Sequence, residues 1–134
     1  MLNKNSYLIP CLCLAVFIFS LFVSNPGPVS AEDTDDFVIT GNTNNTSSGS
    51  STNTQITIPT TGTGYNYNVD CDDDGPMGEV SASGNYICTY ASAGTYTIRI
   101  KDNTATRTGF PRIYFNNSGD RLKLQTIEQW GTGK

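Results

Sequence analysis

The residues of this chain best suited to chemistry are acidic. Asp70, Asp72 and Asp74 alternate with single residues, Gly75 follows at once, and Glu79 comes a little later. Asp-x-Asp-x-Asp-Gly is how a calcium loop begins, because a hard cation takes several carboxylate oxygens from one tight turn. The helix-flanked form of that loop ends on a bidentate Glu at its twelfth position. Counted from Asp70 that position is Ser81, so Glu79 arrives early, and the flanking residues read as strands. A solvated acidic turn is the alternative, since salt screens exposed carboxylates and Asp and Gly form turns for conformational reasons alone. Calcium held by Asp70, Asp72, Asp74 and Glu79 is therefore the one cofactor expectation. Asp72 and Glu79 also invite comparison with the carboxylate pair of glycoside hydrolysis, but nothing beside them in the sequence supplies a pocket.

Other catalytic chemistry lacks its parts. Ser and Thr are abundant, yet the chain has no histidine to activate them. Neither a Lys in a supporting context nor a Gly-x-Ser-x-Gly elbow replaces it. The formal net charge of −4 argues against binding nucleic acid through phosphate contacts. These absences point to a non-enzymatic module.

The first residues read as an address. Lys4 precedes an apolar run from Tyr7 to Val23, then comes the breaker-rich stretch Ser24 to Ser30. Val29 and Ala31 are the small residues expected before a signal-peptidase cut between Ala31 and Glu32. An uncleaved anchor is the rival, although the run is short for a membrane span and contains Pro10. The expectation is a secreted or cell-surface protein that meets the membrane only through this segment during export. Cys11 and Cys13 lie inside the run, where cysteine serves as a small hydrophobe. A Cys-x-Cys metal pair or a lipidated cysteine fits poorly, because most of the apolar run follows them.

The elements that must position the acidic turn come next. Glu32, Asp33, Asp35 and Asp36 crowd the start of the exported part, followed by the apolar Phe37-Val38-Ile39. Gly41 to Asn53 is nearly all Gly, Asn, Thr and Ser, with too little apolar surface to offset its ordering entropy. It reads as a flexible linker. Sequons stand at Asn44, Asn45 and Asn116, relevant only in a host that glycosylates secreted chains. Short alternating runs then predict strands over Gln55–Ile58, Tyr65–Cys71, Asn85–Tyr90, Thr95–Ile100 and Arg112–Phe115. In Thr95–Ile100 the alternation turns Tyr96, Ile98 and Ile100 inward and Arg99 outward. Several short strands separated by Gly, Asn and Asp describe an all-β sandwich.

Cys71 and Cys88 both fall at inward positions of these runs, in a chain bound for an oxidising compartment. A disulfide between them is the economical reading, worth roughly 3 kcal/mol for a loop of about 17 residues. Two separate buried thiols are the alternative. A metal site is poorer still, because two thiolates without histidine lack partners. Most tyrosines fall on inward positions too. The aromatics keep a carbohydrate-binding reading open, since sugars stack on flat rings, although Trp130, near the C-terminus, reads better as a packing residue.

Tyr90-Ala91-Ser92-Ala93-Gly94-Thr95-Tyr96-Thr97-Ile98 resembles the closing signature of PKD-type domains, which are immunoglobulin-like modules of bacterial surface proteins. Val69 to Gly75 stands in the place of their Asp/Gly-rich turn, with Cys71 replacing the usual aromatic and Cys88 a polar residue. Thr54 to Asn66 (TQITIPTTGTGYN) and Gly109 to Gly131 (GFPRIYFNNSGDRLKLQTIEQWG) are similar to the N-terminal region of BspA-like leucine-rich-repeat surface proteins. That resemblance implies an immunoglobulin-like β-sandwich that caps or spaces a repeat array in an adhesion or interaction protein, with the ligand bound mainly by the repeats. The organisation it implies is a signal peptide over 1–31, a flexible segment over 32–54, a PKD-like sandwich over 55–116 and a junction over 117–134. Leu122, Leu124 and Ile127 would enter a repeat array that this chain lacks, as in a truncated form.

Overall fold

The computed structural model describes residues 34–75 and 80–131. Seven strands cross them: β1 (Phe37–Asn42), β2 (Gln55–Ile58), β3 (Tyr67–Asp70), β4 (Val80–Ala82), β5 (Tyr86–Thr89), β6 (Thr95–Asp102) and β7 (Leu124–Gln129). One 3₁₀ turn, Gly119–Leu122, precedes β7. Five strands form an antiparallel sheet in the order β4-β3-β6-β1-β7, and β2 pairs with β5 in a second, two-stranded sheet. The all-β expectation holds at this level.

The alternation of the strands explains how the sheets meet. In β2 the Gln-Ile-Thr-Ile order sends Ile56 and Ile58 to one face, where both are fully buried. They join Ile39 of β1, Tyr67 and Val69 of β3, Ile98 and Ile100 of β6 and Cys88 of β5 in a single core cluster. Each such side chain contributes about 1.5–3 kcal/mol through the area it removes from water. At Gly41 the sheets approach so closely that a Cβ would lie 2.7 Å from the Ile56 side chain. The expected disulfide is present: Cys71, just after β3, is bonded to Cys88 of β5 across a Cα separation of 5.6 Å. It ties the larger sheet to the smaller one.

Several expectations are corrected. The segment 32–54 is not a flexible lead-in, because it contains β1, which lies between β6 and β7. Phe37, Val38 and Ile39 are all buried there, as in a strand covered on both faces, so they form a run rather than alternating. The Gly/Asn/Thr/Ser stretch after β1 is ordered by polar contacts. Thr43 is fully buried, and its amide and hydroxyl both donate to the Gly94 carbonyl. The unit also extends beyond 116, since Leu124 and Ile127 of β7 pack against the core. Those two residues complete this fold, whereas Leu122 remains exposed. Arg112–Phe115 forms no strand: the Tyr114 amide donates to the Pro59 carbonyl, but the backbone joins neither sheet. Arg99 does not face solvent. It is buried, with its guanidinium between Asp73 and Asp36.

The proposed signal segment, including Cys11, Cys13, Ala31 and Glu32, lies outside the described residues. Among those described, no helix is long and apolar enough to cross a membrane.

Candidate functional site

The acidic turn begins where β3 ends. Asp70 is the last residue of that strand and is almost completely buried. Its carboxylate accepts hydrogen bonds from the backbone amides of Asp73 at 2.9 Å, Asp72 at 3.3 Å and Gly75 at 3.5 Å. This is an Asx-type arrangement, in which a short carboxylate satisfies the amides that a tight turn leaves unpaired. It forces Asp73 into the left-handed region at φ 55°, a conformation Asp tolerates better than most residues.

Three further ties hold the turn. Asp73 accepts from Arg99 Nε at 2.6 Å and Nη2 at 3.3 Å, which fastens it to β6. The Cys71–Cys88 bond fastens it to β5. Tyr90 Oη donates to the Cys71 carbonyl at 2.7 Å, and its ring stacks on Tyr96 at a centroid distance of 3.6 Å. Burial, reinforced by the nearby Asp72, Tyr96 and Asp70, pushes the Tyr90 phenol well above its ordinary value, so it remains a donor.

With the backbone fixed, carboxylate oxygens of Asp70, Asp72 and Asp74 lie within 4.8 Å of one another. Calcium binds oxygen at about 2.3–2.6 Å, so oxygens on opposite sides of one ion are separated by no more than about 5 Å. The three carboxylates meet that limit. Asp72 and Asp74 are exposed and open to solvent, which leaves room for water among the six to eight ligands calcium takes. Glu79, the fourth residue expected here, lies outside the described residues. The sequence reading missed Asp73, Arg99 and Tyr90, which hold the turn without belonging to the acid alternation. A usable signal was the arginine set between two isoleucines in the middle of β6.

A second polar cluster lies on the other side of the small sheet and was not foreseen. Lys123 is fully buried, and its Nζ donates to the carbonyls of Ser51, Thr52 and Gln55 at 2.7–3.0 Å and to Ser51 Oγ at 2.8 Å. It also pairs with Asp120 Oδ1 at 3.1 Å. Asp120 in turn accepts from the amides of Ser51 and Thr57 and from Ser51 Oγ, all within 2.8 Å. Burial alone would raise the Asp120 pKa, but hydrogen bonds from Ser51, Thr57 and Lys123 outweigh it and hold the carboxyl below its ordinary range. Ser, Lys and Asp in contact suggest an activated hydroxyl. Lys123 Nζ is instead shared among the Ser51, Thr52 and Gln55 carbonyls and Asp120, so it is held as a structural donor and is not aimed at the Ser51 hydroxyl alone. The cluster is a cross-link between the segment after β1 and the approach to β7.

No protein-family model, no curated protein and no solved structure matches this chain.

Proposed function

We propose that this chain is a non-catalytic extracellular domain, secreted or displayed at the cell surface, whose turn after β3 takes up a calcium ion. The observation that carries the reading is the convergence of the Asp70, Asp72 and Asp74 carboxylates within 4.8 Å. They converge on a turn already tied to β5 and β6, so little ordering remains to oppose binding. A cation there would also relieve the mutual repulsion of Asp72 and Asp74. The test is thermal unfolding of the exported chain with calcium, magnesium or chelator. Calcium should raise the melting temperature, chelator should reverse the rise, and magnesium should do much less because it demands near-octahedral geometry. An unchanged melting temperature at millimolar calcium would count against the site.

The finer fold belongs to the same proposal. An immunoglobulin-like, PKD-type arrangement is favoured by the Tyr90–Ile98 signature and by a disulfide that joins the two sheets. Membership among BspA-like leucine-rich-repeat proteins, with this domain as cap or spacer, is a second reading. It is favoured by β7, which among the described residues is an edge strand paired with β1 alone, against which further chain could pair or pack. Appending leucine-rich repeats after Lys134 should then raise the stability of the domain. Two independent unfolding transitions would argue for unconnected modules.

A further inference from the structure

A groove of about 220 Å³ opens where the start of β1 and the ends of β6 and β7 meet the 110–113 segment. It is separate from the acidic turn, and the calcium reading gives it no role. Phe37 and Phe110 form its floor, with ring centroids 5.7 Å apart. Trp130 stands over Phe37 at 6.1 Å and keeps 73% of its surface exposed. Just beyond it, Gly131 turns the chain at φ 67°, where a Cβ would lie 2.6 Å from the Asp35 carbonyl oxygen. The lining includes residues of both charges, Asp35 and the exposed Arg112, whose guanidinium lies over the neighbouring Tyr114 ring at 5.5 Å. Asp102 completes it, but that carboxylate already accepts from the amides of Thr104, Gly109 and Phe110 and from the Thr104 hydroxyl.

The lining discriminates among ligand classes. An organic cation suits aromatic walls, but Arg112 opposes it and Arg107 already balances the Asp35 charge, although the carboxylate keeps lone pairs that can accept from a hydroxyl. A purely apolar occupant would take water from Asp35 and Arg112 and return no hydrogen bonds. A pyranose ring meets both demands. One face is C–H and lies flat on an indole, while its hydroxyls donate to a carboxylate and accept from a guanidinium. We propose that this groove binds one pyranose unit of a glycan, stacked on Trp130 and hydrogen-bonded at its rim by Asp35 and Arg112.

Trp130 is the only tryptophan of the chain, so tryptophan emission reports on the groove directly. The probes are methyl glycosides of glucose, galactose, mannose and N-acetylglucosamine, with tetramethylammonium as the cationic control. At least one glycoside should produce a saturable change in emission, and tetramethylammonium should produce none. Arg112→Ala should weaken that glycoside about tenfold or more, as expected for loss of a charged hydrogen-bond partner. Trp130→Ala should abolish saturation transfer from protein to glycoside in NMR while leaving the melting temperature nearly unchanged, because the indole is mostly exposed. No saturable response to any glycoside, a response to tetramethylammonium alone, or full affinity in Arg112→Ala would each overturn the proposal.

Discussion

The acidic turn after β3 and the buried Asp120–Lys123 cluster use the same residue type to opposite ends. At the cluster one carboxylate faces one ammonium, both are cut off from solvent, and five nearby oxygens surround the lysine nitrogen. At the turn three carboxylates converge, two of them exposed, and the adjacent arginine is engaged with Asp73. Charge balance within the fold marks the first as a structural cross-link. Acid gathered at an open turn is the arrangement on which the proposed cation site rests. Separating these roles requires burial and partners as well as residue identity.

The contrast can be broken most forcefully at the cluster. Lys123→Met should cost about 3–5 kcal/mol, because it leaves the Asp120 carboxylate buried without its counter-charge. Chemical denaturation would read this as a large fall in midpoint. The double variant Lys123→Met with Asp120→Leu should recover a substantial part of the loss, since an apolar pair no longer strands a charge. Reducing the Cys71–Cys88 bond should cost roughly 3 kcal/mol from the 17-residue separation it closes. The same reduction should weaken calcium at the turn, which loses its tie to β5, and calorimetry on reduced and oxidised protein would show both effects.

Smaller effects sharpen the comparison at the turn itself. Asp70→Asn should cost about 1–3 kcal/mol even without calcium, because its carboxylate serves the turn's own amides. Asp72→Asn with Asp74→Asn, both exposed, should cost less calcium-free stability than Asp70→Asn and should remove the calcium response. Equal destabilisation by both sets would mean that the three acids share one structural role. The acid side of the stability profile gives the smallest test. Asp120 and Asp102 have folded-state pKa values below their ordinary 3.8, each through hydrogen bonds that outweigh burial. Their contribution is therefore present above about pH 4 and lost as pH falls through the lower folded values. Urea unfolding across that range should show Asp120→Asn with a flatter acid limb than the unaltered chain.

Much of the framework was legible in the residues themselves. Period-two alternation placed Ile56 and Ile58, Tyr67 and Val69, and Ile98 and Ile100 inside, and the inward cysteines pointed to their bond. β1 escaped because a strand covered on both faces does not alternate. The stretch after β1 looked unstructured because its order comes from distant polar partners. Ser51 is held by Asp120 and Lys123, some seventy residues away, and no local composition encodes that contact. Arg99 was misplaced because alternation assigns a face without saying whether that face is covered. At the candidate site the three acids were readable from spacing. The disulfide was readable as well, whereas the arginine and tyrosine that hold the turn became apparent only once β5 and β6 were in place.

The central claim is that the acidic turn binds calcium, and calorimetric titration of calcium into the oxidised chain tests it most directly. The account predicts one calcium per molecule in the unaltered protein and no heat of binding in Asp72→Asn with Asp74→Asn. The absence of saturable heat in the unaltered protein, or equal binding by the double variant, would contradict it.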